Sequence, residues 1–313
     1  MTMIQKLQMV LLKSETEYGT DSNPTPASNA VLVYDPATKF NIEELERAPS
    51  LPDLGQLASK DGIRTAELSF SVDFSASASK GVAPEIGDLL QAFGFAETVR
   101  AGSSVSYSPT TCENSLTAYH YNIDKCSGSA ILNKLTGCVG RDLKITIEAG
   151  KLVKMEATLV GLYKAPADVT APATPTYVGT PQVAKNQTIT IDGVSSLAIQ
   201  SISIDLGNEI SIGEDLGGTW GVNDLKIIKR KPMIEINPER VPVSTYDWWS
   251  EFANEPVAVS FDIGTGTGKI TITAPAMKIT DISQGDKEGR LVDEVTAQLS
   301  RSTGDDEFSI NFA

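Results

Sequence analysis

Apolar and polar residues alternate strictly along two stretches of the chain, and this alternation predicts β-strands. Between Leu68 and Phe74 every second residue is apolar, and the residues between them are serine or aspartate. This pattern is typical of an antiparallel strand with one face in the core and the other in water. A similar alternation returns at residues 199–205. The sequence therefore predicts a sheet in each half of the chain.

Each alternating stretch is followed by one short segment with helical spacing. From Pro84 to Phe95, apolar residues recur every three or four positions, with proline near the start and glycine near the end. From Thr245 to Asn254, aromatic residues including Trp248 and Trp249 give a second segment an apolar side. We expect one short helix in each half.

A long hairpin is predicted after each helix. The first covers Leu143–Tyr163 and turns at a glycine. The second covers Val257–Ser300 and ends in a last long strand, Arg290–Ser300. The chain closes with Phe308, Ile310 and Phe312 alternating with polar residues, a strand that either completes its own sheet or adds to the sheet of a neighbour. The predicted fold is mainly β, a β-sandwich or half-barrel with one short helix per domain.

The composition changes along the chain and suggests four segments. Residues 1–60 are rich in turn-forming residues and have little to bury, so we expect an arm that lies over a surface, lends it a strand near residues 30–34, and docks on assembly. Residues 61–164 and 183–313 are predicted to form two similar tandem domains. Residues 165–182 are rich in proline and are predicted to be a semi-rigid linker.

The net charge excludes one class of partner. The chain has 313 residues and a formal net charge of −14. A protein that clamps nucleic acid needs a basic surface, whereas the wall of a conduit for DNA can repel it weakly. Three sparse cysteines, Cys112, Cys126 and Cys138, suit a reducing compartment, and no apolar run is long enough for a membrane span. The first residues lack the pattern of a secretory signal, so we expect synthesis in the cytoplasm.

Motifs that could carry chemistry all have a simpler interpretation. Gly264–Lys269 resembles a phosphate-binding loop, but both ends of that pattern fail, and a hairpin turn is favoured. His120 is the single histidine, and the cysteines include no close pair of the kind that zinc sites use. One histidine also leaves little room for a hydrolytic triad. We predict no catalytic residue, no metal and no cofactor.

Several segments, taken together, resemble the major tail protein of long-tailed, siphovirus-type bacteriophages, the tail tube subunit, in the version with two tube domains in one chain. The segments are Lys13-x-Glu15-x-x-Tyr18-Gly19-Thr20-Asp21, Leu135–Gly140, Glu148–Lys151, Gly161–Pro166, Ala274–Ile282 and Gly285–Gly289. Together they span nearly the whole chain. Each is a pattern of turns and strands, and none is a chemical signature.

The resemblance implies a structural protein of the virion tail. Such subunits form rings whose inner sheets join around a lumen, and the rings stack into a tube through which the viral DNA passes without specific binding. Two domains per chain imply a homotrimer with pseudo-sixfold symmetry. The implied partners are other copies of the chain, the tail terminator, and the distal tail or baseplate proteins. The residues that we expect to serve assembly are Lys13, Glu15, Tyr18, Asp21, Trp248, Trp249, Phe308 and Phe312.

Two other functions fit the same patterns. Two β-rich domains with neighbouring tryptophans are also compatible with a carbohydrate-binding or adhesion module that uses Trp248 or Trp249. Another virion part, such as a decoration or tail-completion protein, shares the setting but forms closed rings or lattice contacts. Open tubes formed by the purified protein would favour the tail tube.

Overall fold

The computed structural model of the chain describes residues 6–77, 79–253, 255–264, 268–287 and 289–313. These residues are mainly β, as the sequence predicts. The strands are β1 (Gln8–Ser14), β2 (Ala30–Val31), β3 (Val33–Leu45), β4 (Lys60–Asp73), β5 (Ser75–Ala76), β6 (Phe95–Arg100), β7 (Ser104–Pro109), β8 (Leu116–Asp124), β9 (Ser129–Glu148), β10 (Lys154–Tyr163), β11 (Ala167–Thr170), β12 (Thr180–Pro181), β13 (Thr188–Ile191), β14 (Ile199–Asp205), β15 (Glu209–Glu214), β16 (Val222–Lys229), β17 (Met233–Pro238), β18 (Val257–Ile263), β19 (Ile270–Lys287), β20 (Arg290–Ser300) and β21 (Ser309–Phe312). The helices are α1 (Gly87–Ala92) and α2 (Trp248–Ala253).

Both helices lie where helical spacing predicts them, but they are shorter than predicted. The backbone N–H of Gly87 donates to Pro84 in a turn, so α1 begins only after the proline. It ends before Gly94, whose φ of +85° is a left-handed conformation that glycine adopts without strain. The predicted end of the second helix, Asn254, lies outside the described residues.

An antiparallel sheet of eight strands runs through both halves, in the order β3-β4-β10-β9-β14-β17-β20-β19. One face packs into the core with apolar residues such as Leu68, Ile145, Ile204 and Ile234, all at most 1% exposed. The other face carries polar residues. The alternation between Leu68 and Phe74 thus has the cause that the sequence suggests, a strand with a single buried face.

The first four strands of this sheet and the last four follow one plan. In each set a long hairpin, β9–β10 or β19–β20, pairs through its second strand with the strand that precedes the helix, β4 or β17. Each hairpin has an irregularity, around Arg141 in β9 and Thr280 in β19, and β9–β10 has a second one near Gly137. The two sets meet where β9 pairs with β14. The division into two domains at residues 165–182 stays a prediction.

Several of the remaining strands extend from this sheet around a shared core, while β15 and β16 pair with each other in a separate sheet. β8 pairs with β9 and β1, β18 pairs with β19 and β13, and β21 pairs with both β19 and β7. The last strand therefore joins strands from both halves of its own chain. One buried cluster extends from Val10 through Leu68 to Phe312.

The first sixty residues contribute to this packing. β1 runs beside β8 over its whole length, and Met9–Leu12 are at most 5% exposed. β3 pairs with β4, while residues 46–59 beyond it are almost all exposed. Within residues 165–182, β11 pairs with β9 and β12 pairs with β5. These pairings fix both segments to the sheet inside a single chain.

The predicted hairpins lie in the expected places. β9 and β10 pair from Thr146 and Lys154 toward Leu135 and Tyr163. β18 pairs with the first part of β19, and β20 has the bounds predicted for the last long strand. Residues 265–267, in the turn that resembles a phosphate loop, and residue 288 lie outside the described residues.

Candidate functional site

The polar face of the eight-stranded sheet is the broadest surface with a consistent chemical character. Residues directly opposite each other on paired strands share a face, so the register defines its members. We call the following set the polar face: Lys39, Ser69, Ser71, Asp142, Lys144, Thr146, Glu148, Lys154, Glu156, Thr158, Ser201, Ser203, Asp205, Glu235, Asp281, Ser283, Glu294 and Thr296. Acidic residues outnumber basic ones in this set, so the surface carries a negative potential.

An ion pair stabilises one border of the polar face. Arg141, an irregular residue of β9, lies 2.6 Å from a carboxylate oxygen of Glu67 and 2.9 Å from a carboxylate oxygen of Asp142. Burial by itself would raise the pKa of Glu67, but the hydrogen bond and charge of Arg141 lower it overall. Glu67 therefore stays ionised and holds the arginine against the sheet.

The described residues do not place the groups of a metal site together. Cys112 and Cys126 are exposed, whereas Cys138 and His120 are buried in the sheets. No cluster of three or more histidine, cysteine, aspartate or glutamate side chains that could hold a metal ion occurs in the described part of the chain. Burial lowers the pKa of His120 to about 4, and its Nδ1 lies 2.7 Å from Thr38 Oγ1. That contact links β8 to β3.

Glu15 is the centre of the opening segment. Its carboxylate accepts hydrogen bonds from the backbone N–H groups of Gly19 and Gly137, each at 2.8 Å. It also accepts bonds from the hydroxyls of Ser115 at 2.7 Å and Thr117 at 2.8 Å. Four donors on three segments thus converge on one half-buried carboxylate. The segment after β1 is fastened to β8 and β9 within the chain.

Tyr18 and Lys13 tie the same segment down at two further points. The Tyr18 hydroxyl donates to the carbonyl oxygen of Gly137 at 3.1 Å and accepts from the backbone N–H of Leu225 at 2.8 Å. Burial raises the pKa of Tyr18, so the hydroxyl keeps its proton. Lys13 Nζ donates to the carbonyl oxygen of Ser22 at 2.9 Å. Tyr18 therefore connects the opening segment to β16 in the second half.

Asp21 ends the fastened segment with an ion pair. It accepts hydrogen bonds from the Tyr119 hydroxyl at 2.7 and 2.8 Å and from Lys134 Nζ at 2.5 Å. Burial by itself would raise the pKa of Asp21, but the bonds from Lys134 and Tyr119 lower it overall. The structure thus brings together the four predicted assembly residues of the first segment, and the partners described above lie in the same chain.

The two predicted tryptophans differ in their environment. Trp248 is 3% exposed and its ring centroid lies 4.6 Å from that of Tyr246, so it belongs to the core. Trp249 is 54% exposed and Phe252, one turn later on α2, is 44% exposed. Trp249 is therefore the member of the pair that remains available for contact with another molecule.

The two predicted phenylalanines near the end of the chain are both buried. The Phe308 ring packs edge-on against Phe95, with centroids 5.3 Å apart. The Phe312 ring lies 5.6 Å from that of Tyr107 and 5.8 Å from that of Phe74. Both side chains hold β21 against strands and helix-flanking residues of the first half.

Sequence reasoning missed a polar link between the halves. The side-chain amide of Asn208, which is 7% exposed, donates to the carbonyl oxygens of Phe93 at 3.2 Å and Gly140 at 3.0 Å. Phe93 in turn covers the Cα of Gly140 so closely that a Cβ there would overlap its ring. A turn such as Gly207-Asn208 gives no sequence signal for a partner so far away.

Sequence reasoning also missed which sheet edges remain open. In the described residues, β3 pairs with β4 alone, and β19 beyond Met277 pairs with β20 alone. Both edges belong to the eight-stranded sheet and lie at its two ends. These edges can be found only from the pairing of strands that are far apart in the chain. A local sequence pattern does not contain this information.

Comparison with known proteins agrees with this architecture. Residues 7–300 match the phage tail tube protein family. No curated protein matches the chain. The helices among the described residues are too short and too polar to cross a membrane.

Proposed function

The chain belongs to the phage tail tube protein family, and from that premise we propose that it polymerises as stacked rings into the tail tube of a siphovirus-type phage. One observation carries the proposal: an eight-stranded sheet made of two sets with the same plan and open at both ends. Repetition of this sheet around an axis pairs each open end with the next and removes the exposed edges.

The repetition within one chain favours three copies per ring. If each four-strand set supplies one sixth of the wall, three chains complete it, and the ring is a homotrimer with pseudo-sixfold symmetry. Stacking of such rings is a head-to-tail contact that propagates into a filament. The tail terminator and the distal tail or baseplate proteins would then cap the two ends.

The polar face suits the lumen wall. Its opposite side is packed into the core, so the polar side is the one available to line a channel. The excess of Asp and Glu on this face would repel the phosphates of DNA weakly. Salt would screen this repulsion beyond about 8 to 10 Å from the wall. The viral genome would pass without a specific binding site.

The carbohydrate-binding alternative is weakened by the position of one tryptophan. Trp248 is buried and cannot stack on a sugar, which leaves Trp249 and Phe252 on a helix of six residues. A stable monomer that binds glycans through Trp249 would favour this alternative. A decoration or tail-completion protein would instead form closed rings that do not extend.

The stoichiometry is tested on the purified full chain. Electron microscopy should show tubes or rings, and native mass spectrometry of the smallest ring should give three chains. Rings of six full-length chains would contradict the trimer, and a monomer that never assembles would contradict the tube.

The role of the polar face is tested in virions. Glu156→Gln, Asp205→Asn and Glu235→Gln together remove three negative charges from it. We expect slower genome ejection, measured as DNA release after triggering. The matched control, Glu17→Gln, Glu46→Gln and Glu214→Gln, removes the same charge from exposed positions outside that face. Equal ejection rates for the two triple variants would argue against a repulsive wall.

A further inference from the structure

Within one chain, the two four-strand sets are joined where β9 pairs with β14. We call this pairing the internal joint and use it as a template for the joint between two chains. Its register places Asp205 opposite Lys144, Ser203 opposite Thr146 and Ser201 opposite Glu148. β14 is the first strand of the second four-strand set, and β9 is the last strand of the first. The corresponding strands at the two open ends are β3 and β19.

The irregular positions in β9 and β19 show which residues of the two hairpins are equivalent. Asp142 lies opposite Thr158 just after the irregularity in β9, and Asp281 lies opposite Thr296 just after that in β19. The segments Glu156-Ala157-Thr158-Leu159 and Glu294-Val295-Thr296-Ala297 therefore coincide. β8 leaves β9 at Cys138, and β18 leaves β19 at Met277, the equivalent position.

The first strands of the two sets match from Ala37 and Ser203 onward. Val33 lies opposite Val72 and Ala37 opposite Ser69, with one extra residue between these pairs. The same arrangement relates Ile199 and Ser203 to β17, again with one extra residue. Residues 37–39 thus correspond one by one to residues 203–205, and residues 283–287 correspond to residues 144–148. Before Ala37 the two strands differ in detail, because Asp35 has a left-handed φ of +47°.

We infer that β3 of one copy of this chain pairs antiparallel with β19 of the next copy, with Ala37 opposite Gly285 and Lys39 opposite Ser283. This inference rests on the proposed function and gives it a specific partner and register. The edge of β19 that receives the strand is the one that β14 occupies on β9.

The charges and polarity of the two edges fit this partner. Asp35 and Lys287 have opposite charges and are exposed in the single chain. On the core side, Ile204 lies opposite Ile145 in the internal joint, and the corresponding pair between copies is Thr38 and Gln284. A polar edge protects an unassembled subunit from indiscriminate strand pairing. Apart from Pro36, which has no N–H, the same edge still offers its backbone N–H and C=O groups to the correct neighbour.

Cysteine cross-linking tests the register. Directly opposite residues in an antiparallel pair have Cβ atoms about 4.5 to 5.5 Å apart, within reach of a disulfide after slight adjustment. The variant carries Lys39→Cys and Ser283→Cys, in a background where the exposed Cys112 and Cys126 are replaced by serine. Oxidised tubes should yield covalent trimers on a non-reducing gel, at least tenfold more than the same chain with Gln284→Cys in place of Ser283→Cys.

Co-expression of two single variants shows that the bond joins different chains. Copies with Lys39→Cys alone and copies with Ser283→Cys alone should give covalent dimers and no trimers. Tubes that are normal by electron microscopy but remain uncross-linked would overturn the inference and leave the proposed function standing. Preferential cross-linking through Gln284→Cys would also overturn the register. Absence of rings and tubes in the unsubstituted protein would overturn the proposed function, and the inference with it.

Discussion

Replacement of Glu15 by glutamine tests whether the opening segment belongs to the folded subunit. In the folded chain its two carboxylate oxygens each accept two hydrogen bonds, from Gly137 and Thr117 on one side and Gly19 and Ser115 on the other. The amide of glutamine supplies one acceptor oxygen only. One backbone N–H therefore loses its acceptor, the hydroxyl beside it can only accept from the NH₂ group, and the two bonds on the other side become bonds to a neutral oxygen.

The cost follows from the number and type of bonds lost. A hydrogen bond to a charged group contributes about 1.5 to 3 kcal/mol and one to a neutral group about 0.5 to 1.5 kcal/mol, so the loss of one bond and the weakening of the others together cost about 3 to 6 kcal/mol. The site is half-buried, so water replaces part of the loss and we expect about 3 kcal/mol. A chain of 313 residues has an unfolding entropy of about 0.7 kcal/mol per kelvin at its midpoint. The Tm should fall by about 4 to 5 °C.

Differential scanning calorimetry of the unassembled protein measures this shift. Glu17→Gln is the matched control, because Glu17 lies two residues away and is exposed; its Tm should stay within about 1 °C of the unsubstituted protein. If the segment instead docks only when rings stack, Glu15→Gln will melt with the unsubstituted protein and fail only in tube formation. That result would refute the reasoning from the hydrogen bonds.

Three other perturbations have expected outcomes. Burial lowers the pKa of His120 to about 4 from an ordinary 6.5, so the unfolded chain binds the proton more readily; stability is full above pH 6.5 and falls by about 3 kcal/mol toward pH 4. Denaturation across this range should show a smaller loss for His120→Gln, and an equal loss would contradict the assignment. Gly140→Ala forces a methyl group into the Phe93 ring and should cost about 1 to 3 kcal/mol of unfolding free energy, whereas Gly304→Ala, with open space around it, should be near neutral. Trp248→Ala should cost about 3 to 5 kcal/mol, and Trp249→Ala, at an exposed position, less than about 0.5 kcal/mol; similar midpoints for the two variants would show that the rings are not placed as described.

Local patterns in the sequence are enough to predict several of the strands and the two long hairpins. The alternation from Leu68 to Phe74 and the bounds of β20 are examples, because each reflects one buried face and one turn. The predicted helices are too long. In the first, apolar residues continue at helical spacing through the turns that flank α1, near Pro84 and Phe93. A periodic pattern cannot distinguish a helix from a packed turn at its end.

The partners of the candidate assembly residues were beyond sequence reasoning. Glu15 and Asp21 were predicted to serve assembly, and their hydrogen-bond partners lie about a hundred residues further along the same chain. A turn-rich composition says that a segment has little to bury, but it says nothing of polar anchors. A single glutamate that collects four donors can fix a segment that lacks apolar side chains.

The difference between the two joints has a consequence for assembly. The internal joint places isoleucines opposite each other on its core side, at Ile145 and Ile204 and at Ile147 and Ile202. Because it forms within one chain, it is never exposed to other subunits. The joint that we propose between copies has Thr38 and Gln284, and Pro36 and Asp286, near the same positions, so apolar burial adds little to it. A single such contact would be weak, and open dimers would dissociate. Ring closure adds the last contact without the entropic cost of bringing in another subunit, so closed rings should persist where open intermediates do not.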